Sequence, residues 1–124
     1  MSIITQKIEL IGSKARAEVK ALFDSGASFS CIPPDLAEKL GEATPLAIPI
    51  ELEMAEQGKA LQVNKVLYLQ FKINGNQLSD EFMIVPGLSE EAIIGAKTLQ
   101  AWRIKLDFEH DAVSIDPEVT KLRL

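Results

Sequence analysis

Apolar and polar residues alternate along most of the chain, and a period of two is the signature of strands buried on one face. Ile3 to Ile11 is rich in β-branched residues and is followed by Gly12-Ser13-Lys14, a turn. From Ala15 to Phe23 the run resumes, with Ala17, Val19, Ala21 and Phe23 on one face, so the first two runs read as a hairpin. Small residues, Asp24-Ser25-Gly26-Ala27-Ser28, interrupt the pattern before a short apolar run from Phe29 to Ile32. Pro33 to Gly41 predicts a short helix: proline in the first turn, Asp35 early, Lys39 late, Gly41 at the cap. Ala47 to Ala55 and Ala60 to Ile73 predict two long strands joined at Glu56-Gln57-Gly58-Lys59. Asn74-Gly75-Asn76 is a strong hairpin signal, and Gln77 to Val85 returns as the next strand, ended by Pro86-Gly87. Ala92-Ile93-Ile94 predicts a short buried strand, Gly95 to Trp102 a second short helix. Arg103 to Phe108 and Ala112 to Ile115 form a last hairpin around Glu109-His110-Asp111. The tail, Asp116 to Leu124, alternates Thr120, Leu122 and Leu124 against Lys121 and Arg123. The expectation is one mostly-β domain over residues 1–124 with two short helices, without repeats or a linker.

Composition narrows the function. With 47% hydrophobic and 25% charged residues, 124 residues can bury a core without staples. A net charge of −5 argues against a protein that works by neutralising phosphates, so no nucleic-acid partner is expected. The single cysteine, Cys31, cannot form an internal disulfide. The single histidine, His110, excludes a multi-histidine metal site, so neither metal nor cofactor is expected. No apolar stretch approaches the roughly 20 residues of a membrane span. Gln6, Lys7 and Glu9 break up the N-terminus, which leaves no signal-peptide core; the expected compartment is the cytoplasm.

The candidate chemistry lies in Asp24-Ser25-Gly26, directly after the apolar Ala21-Leu22-Phe23. A carboxylate at the end of a buried strand is costly unless something satisfies it. Gly26 permits a tight turn and a close backbone approach, and Ser25 offers a short hydroxyl. The order apolar strand, acid, hydroxyl, glycine, small residue, apolar strand holds a carboxylate at the base of a cleft. A plain turn is the alternative, and a phosphorylated degradation signal ending at Ser30 is another. Cys31 reads either as a nucleophile paired with His110 or, between Phe29 and Ile32, as a small buried hydrophobe. Trp102 reads as a core plug, and Glu90-Glu91 as a solvated loop.

Ala21-Leu22-Phe23-Asp24-Ser25-Gly26-Ala27-Ser28 resembles the active-site loop of retropepsin-like aspartic proteases. Ala92-Ile93-Ile94-Gly95-Ala96-Lys97-Thr98-Leu99 is similar to that family's second motif, two apolar residues and a glycine opening a helix that supports the loop. The resemblance runs from about Val19 to Phe108. It implies a closed β-barrel of the acid-protease fold, with one half-site per chain and a flap hairpin at about residues 47–73. Two departures stand out. Many retroviral members carry an acid where this chain has Ser28, and an arginine where it has Ala96; both partners are replaced together, which points to a non-viral, microbial or cellular branch.

The chain holds one Asp-Ser-Gly, whereas carboxylate-driven peptide hydrolysis needs one acid to activate water and one to protonate the carbonyl oxygen. The resemblance therefore implies a homodimeric aspartic endopeptidase acting on peptide or protein, with Asp24 of each copy meeting on a two-fold axis. It further implies that Ser25 braces the two loops and that Gly26 and Ala27 face the peptide. Ala55, Glu56, Gln57 and Gly58 would serve as flap tip, Cys31 and Ile93 would line the cleft, and Ile94 and Gly95 would support the loop. Leu88-Ser89-Glu90-Glu91 would wall the neighbouring subsites. The alternating tail and the strand from Ile3 are the candidates for interface strands. A catalytically silent module of the same fold, for peptide binding or dimerisation, is the alternative.

Overall fold

The computed structural model describes residues 3–54 and 59–124. Its first two strands, β1 (Ile3–Ile11) and β2 (Arg16–Asp24), form the expected hairpin, in register from Ile3 opposite Asp24 to Ile11 opposite Arg16. Their alternation is the reason: Ile4, Ile8 and Leu10 of β1 and Val19, Ala21 and Phe23 of β2 are buried. The two-residue strand β3 (Cys31–Ile32) leads into helix α1 (Pro34–Leu40), which buries Ala37 and Leu40. A long hairpin follows, β4 (Thr44–Met54) and β5 (Lys59–Ile73). Asn74 and Gly75 connect β5 to β6 (Asn76–Ile84), both with positive φ (51° and 81°), the signature of a type I′ turn. Strand β7 (Ala92–Ile94) and helix α2 (Ala96–Ala101) come next, then the small hairpin of β8 (Lys105–Asp107) and β9 (Ala112–Ser114).

The strands lie in the order β1-β2-β7-β3-β6-β5-β4, and Glu9–Ile11 of β1 also pair with Gln70–Lys72 of β5. Six strands therefore close into a barrel, with β4 carried outside on β5. This is the mostly-β, two-helix barrel anticipated from the motifs. Phe23, Leu69, Phe71, Phe82 and Ile94 are among the side chains sealed inside, and Phe71 meets Phe82 edge-to-face at 5.6 Å between ring centroids. A second, smaller apolar cluster lies on the other side of β5 and β6: Cys31, Val63, Val66, Met83 and Val85, with Phe29, Ile50, Leu52 and Ile93 half-buried around it. Val66 beside Leu67, and Phe82 through Val85, are consecutive buried residues because these strands are covered on both faces there.

One expectation needs correction. β4 begins at Thr44 rather than Ala47, because Pro45 sits on an edge strand, where its missing N–H breaks no ladder. The register then shifts between Pro45 and Ile50, so residues 46–49 bulge against residue 64 alone and leave Ile48 exposed. Within the single chain the tail pairs with no strand. Asp116 accepts a hydrogen bond from the Glu118 amide at 3.0 Å and opens a 3-10 helix over Pro117–Thr120. An Asp-Pro start favours such a turn, and no sheet edge pairs with the tail among the described residues.

Candidate active site

β2 and β7 run parallel, pairing Ala21 with Ala92, Leu22 with Ile93 and Phe23 with Ile94. One residue further on, Asp24 and Gly95 leave their strands at the same level. The two motifs, some seventy positions apart in sequence, are therefore brought side by side by a three-residue ladder.

Asp24 is half-buried. Its Oδ1 accepts the Gly26 amide at 2.8 Å, and its backbone carbonyl accepts the Ala27 amide at 3.1 Å, which folds the triplet into a tight turn. Oδ2 accepts no hydrogen bond among the described residues, and no buried polar side-chain atom there lacks a partner, so this oxygen remains open to solvent. The carboxylate is thus oriented by one oxygen and available for chemistry through the other.

The loop is held from below by α2. The first four amides of a helix have no partner within it, and here three of them go to the loop. Ala96 N–H donates to Ala27 O at 2.6 Å and Lys97 N–H to Ser28 O at 3.1 Å; Gly95 N–H donates to Ser30 Oγ at 3.0 Å. Gly95 has to be glycine for space: a Cβ there would lie 2.5 Å from the Phe29 carbonyl carbon and oxygen and 2.9 Å from Ala27 O.

Three residues the motif reading missed complete the support. Ser30 Oγ lies 2.5 Å from Thr98 Oγ1, and the Thr98 hydroxyl donates to Asp80 Oδ2 at 2.7 Å. Ser30 and Thr98 are the two buried polar residues among the described residues, 2% and 1% exposed. Their only signal in the sequence is a hydroxyl beside apolar residues, Ser30 between Phe29 and Cys31 and Thr98 before Leu99. At the other end of α2, Trp102 Nε1 donates to Ser79 O at 2.9 Å, so Trp102 is an anchor as well as a plug.

The other candidates are placed as follows. Cys31 lies beneath the surface in the second cluster, paired with Ile93 and Met83. Burial pushes its thiol up to about 11, which removes it as a nucleophile near neutral pH. His110 is exposed in its turn, 2.8 Å from Asp107 Oδ2, remote in sequence and sheet from Cys31. Ile93 and Ala27 are half-buried, while Ser25 and Gly26 are exposed. Ile94 is buried in the barrel core. Ala55, Glu56, Gln57 and Gly58 lie outside the described residues. Glu91 does not face the loop: its Oε1 accepts the backbone amide of Lys20, four residues before Asp24 on β2. Beside Ser25 a groove of about 570 Å³ is lined by Leu99, Gln100, Arg103, Ile104, Lys105 and Leu106. Among the described residues no group of three or more acids, histidines or cysteines could hold a metal ion, and no helix is long and apolar enough to cross a membrane.

Comparisons with known proteins cover most of the chain. The family model described as "gag-polyprotein putative aspartyl protease" matches residues 12–101. The "DNA damage-inducible protein 1" of Phaeosphaeria nodorum is 26% identical over 98 residues, which is 79% of this chain and 22% of that protein. The chain thus spans about a fifth of the length of this relative. Among solved structures, the retroviral protease-like domain of Ddi1 from Leishmania major superposes with a TM-score of 0.68 at 18% identity, covering 93% of this chain and 90% of the other. EIAV protease, solved with the inhibitor HBY-793, gives a TM-score of 0.62 at 16% identity, covering 86% and 93%.

Proposed function

The chain belongs to the gag-polyprotein aspartyl protease family, retropepsin-like in fold, and from that premise we propose that it is a homodimeric aspartic endopeptidase. The observation that carries this reading is the Asp24 loop: one carboxylate per chain, oriented through Oδ1, open at Oδ2, and locked to α2 by main-chain bonds. The chain has no second Asp-Ser/Thr-Gly to complete a dyad, so the second carboxylate comes from a second copy. The groove beside Ser25, with Leu99, Ile104 and Leu106 in its wall, is the surface that copy would cover.

Two carboxylates so close share one proton. The ionised Asp24 takes a proton from water as the water oxygen attacks the scissile carbonyl carbon. The protonated Asp24 gives its proton to the carbonyl oxygen. The carboxyl that took the water proton then gives it to the amide nitrogen, the C–N bond breaks, and a hydroxyl of the tetrahedral intermediate returns its proton to the other carboxylate, so an acid and an amine leave with the dyad again sharing one proton. The half-buried Phe29, Ile50, Leu52 and Ile93 fringe the second cluster and offer apolar wall to side chains flanking the cut bond.

Asp24→Asn is the test. The variant should keep its fold by circular dichroism and lose cleavage of a peptide library that the wild type cuts. Undiminished cleavage by the purified variant would sink the proposal. Peptide binding by a wild type that never cuts would establish the silent module instead.

A further inference from the structure

An ionised carboxylate only accepts hydrogen bonds, and this fixes every proton in the chain of contacts behind the Asp24 loop. Thr98 must donate to Asp80 Oδ2, at 2.7 Å. Its single proton being used, the 2.5 Å contact with Ser30 must be made by the Ser30 proton. Ser30 Oγ is then left as an acceptor, and it receives Gly95 N–H at 3.0 Å. The order Gly95 N–H to Ser30 to Thr98 to Asp80 has no alternative assignment while the carboxylate is charged. Bonds strung toward a charge in a dry interior reinforce one another. Both hydroxyls are buried, and Asp80 is half-buried at the far end, with Oδ1 taking the Glu81 amide at 2.7 Å. No lysine or arginine pairs with Asp80 among the described residues, so these bonds answer its charge.

The near end of this relay lies where the catalytic loop is seated. Gly95 N–H is followed by Ala96 N–H and Lys97 N–H, which hold Ala27 O and Ser28 O, one and two residues beyond Gly26. We infer that Asp80 is a positioning residue: acting through Thr98 and Ser30, it fixes the start of α2 against the loop and so sets where Asp24 stands. The inference rests on the protease reading for its kinetic consequence and on the hydrogen bonds alone for its structural one. Trp102 supplies the control. It ties the other end of α2 to Ser79, the residue before Asp80, without touching the relay.

The experiment uses the full chain, 15N-labelled. In Asp80→Asn and in Thr98→Val, exchange of the Gly95 amide with solvent should rise at least about tenfold. The kcat for peptide cleavage should fall by about tenfold at nearly unchanged KM, the scale expected when a reacting group is displaced by a fraction of an ångström. Combining the two substitutions should add little to either alone, because they break one chain. Thr98→Ser keeps the hydroxyl and should restore both readouts to within about threefold of wild type. Trp102→Phe should lower the melting temperature and leave Gly95 exchange and kcat unchanged. Unchanged exchange in Asp80→Asn would overturn the inference. So would failure of Thr98→Ser to rescue, or losses in Trp102→Phe that match those of the relay variants. A wild type that cuts no peptide would count against the protease reading alone, since the amide readout still decides the relay.

Discussion

Gly95→Ala tests the close approach on which the site depends. The added Cβ would lie 2.5 Å from both the carbon and the oxygen of the Phe29 carbonyl, where ordinary contact begins near 3.4 Å, so the gap must open by about 0.9 Å. Both atoms are main chain, and no rotamer change can relieve the clash. The conformation itself is not the obstacle: Gly95 has φ −96°, which alanine adopts freely. Alanine even gains about 0.4–1 kcal/mol by restricting the unfolded chain. Against that stand overpacking, about 1–3 kcal/mol, and two stretched bonds, Ala96 to Ala27 and Lys97 to Ser28, at about 1 kcal/mol each. The expected net loss is about 2–4.6 kcal/mol, read as a lower urea midpoint at unchanged m-value. The surviving folded molecules should turn over peptide far more slowly, because the displaced segment follows directly on Asp24, Ser25 and Gly26. Gly12→Ala is the matched control. Its Cβ would collide with the Leu40 carbonyl, far from the loop, so it should destabilise without lowering kcat per folded molecule. A Gly95→Ala protein within about 0.5 kcal/mol of wild type, or one that is folded and fully active, would refute the reasoning.

Mixing wild-type chains with an equal amount of Asp24→Asn chains should about halve the activity the wild-type chains carry, since random pairing puts half of them in mixed dimers; a working monomer would keep it all. Specific activity should also fall on dilution below the dimer dissociation constant. Gly75→Ala should cost about 1–2 kcal/mol by thermal melting, for its strain lies in the backbone (φ 81°) while the space around it is open. Cys31 holds its proton in the folded chain up to about 11, against 9.0 ordinarily. The unfolded chain therefore ionises first, and stability present below pH 9 should drain away by about 2–3 kcal/mol as pH rises through 11. Subtracting the pH–stability curve of Cys31→Ala isolates that slope, and a flat difference would show that the thiol is not desolvated.

What could be read from residue order was local. Alternation in β1 and β2, Asn74-Gly75, the Asp24 triplet and the Ile-Ile-Gly before α2 each act within a few residues through side-chain period, φ preference or lack of a Cβ. They therefore announced the strands, the turn and both halves of the site before any contact was known. Alternation says which face of a strand is buried but not which strand lies beside it. That choice belongs to barrel closure, which put β7 between β2 and β3 and so set Gly95 level with Asp24. The tail shows the same limit from the other side: its alternating leucines suit a strand, yet alternation does not say whose sheet edge would receive their amides, and within the single chain none does. The Ser30–Thr98–Asp80 relay was beyond the reach of pattern altogether. Its members stand 68 and 18 residues apart, hydroxyls carry no period, and a buried hydroxyl acquires its partner only when the folded core excludes water and leaves it no other.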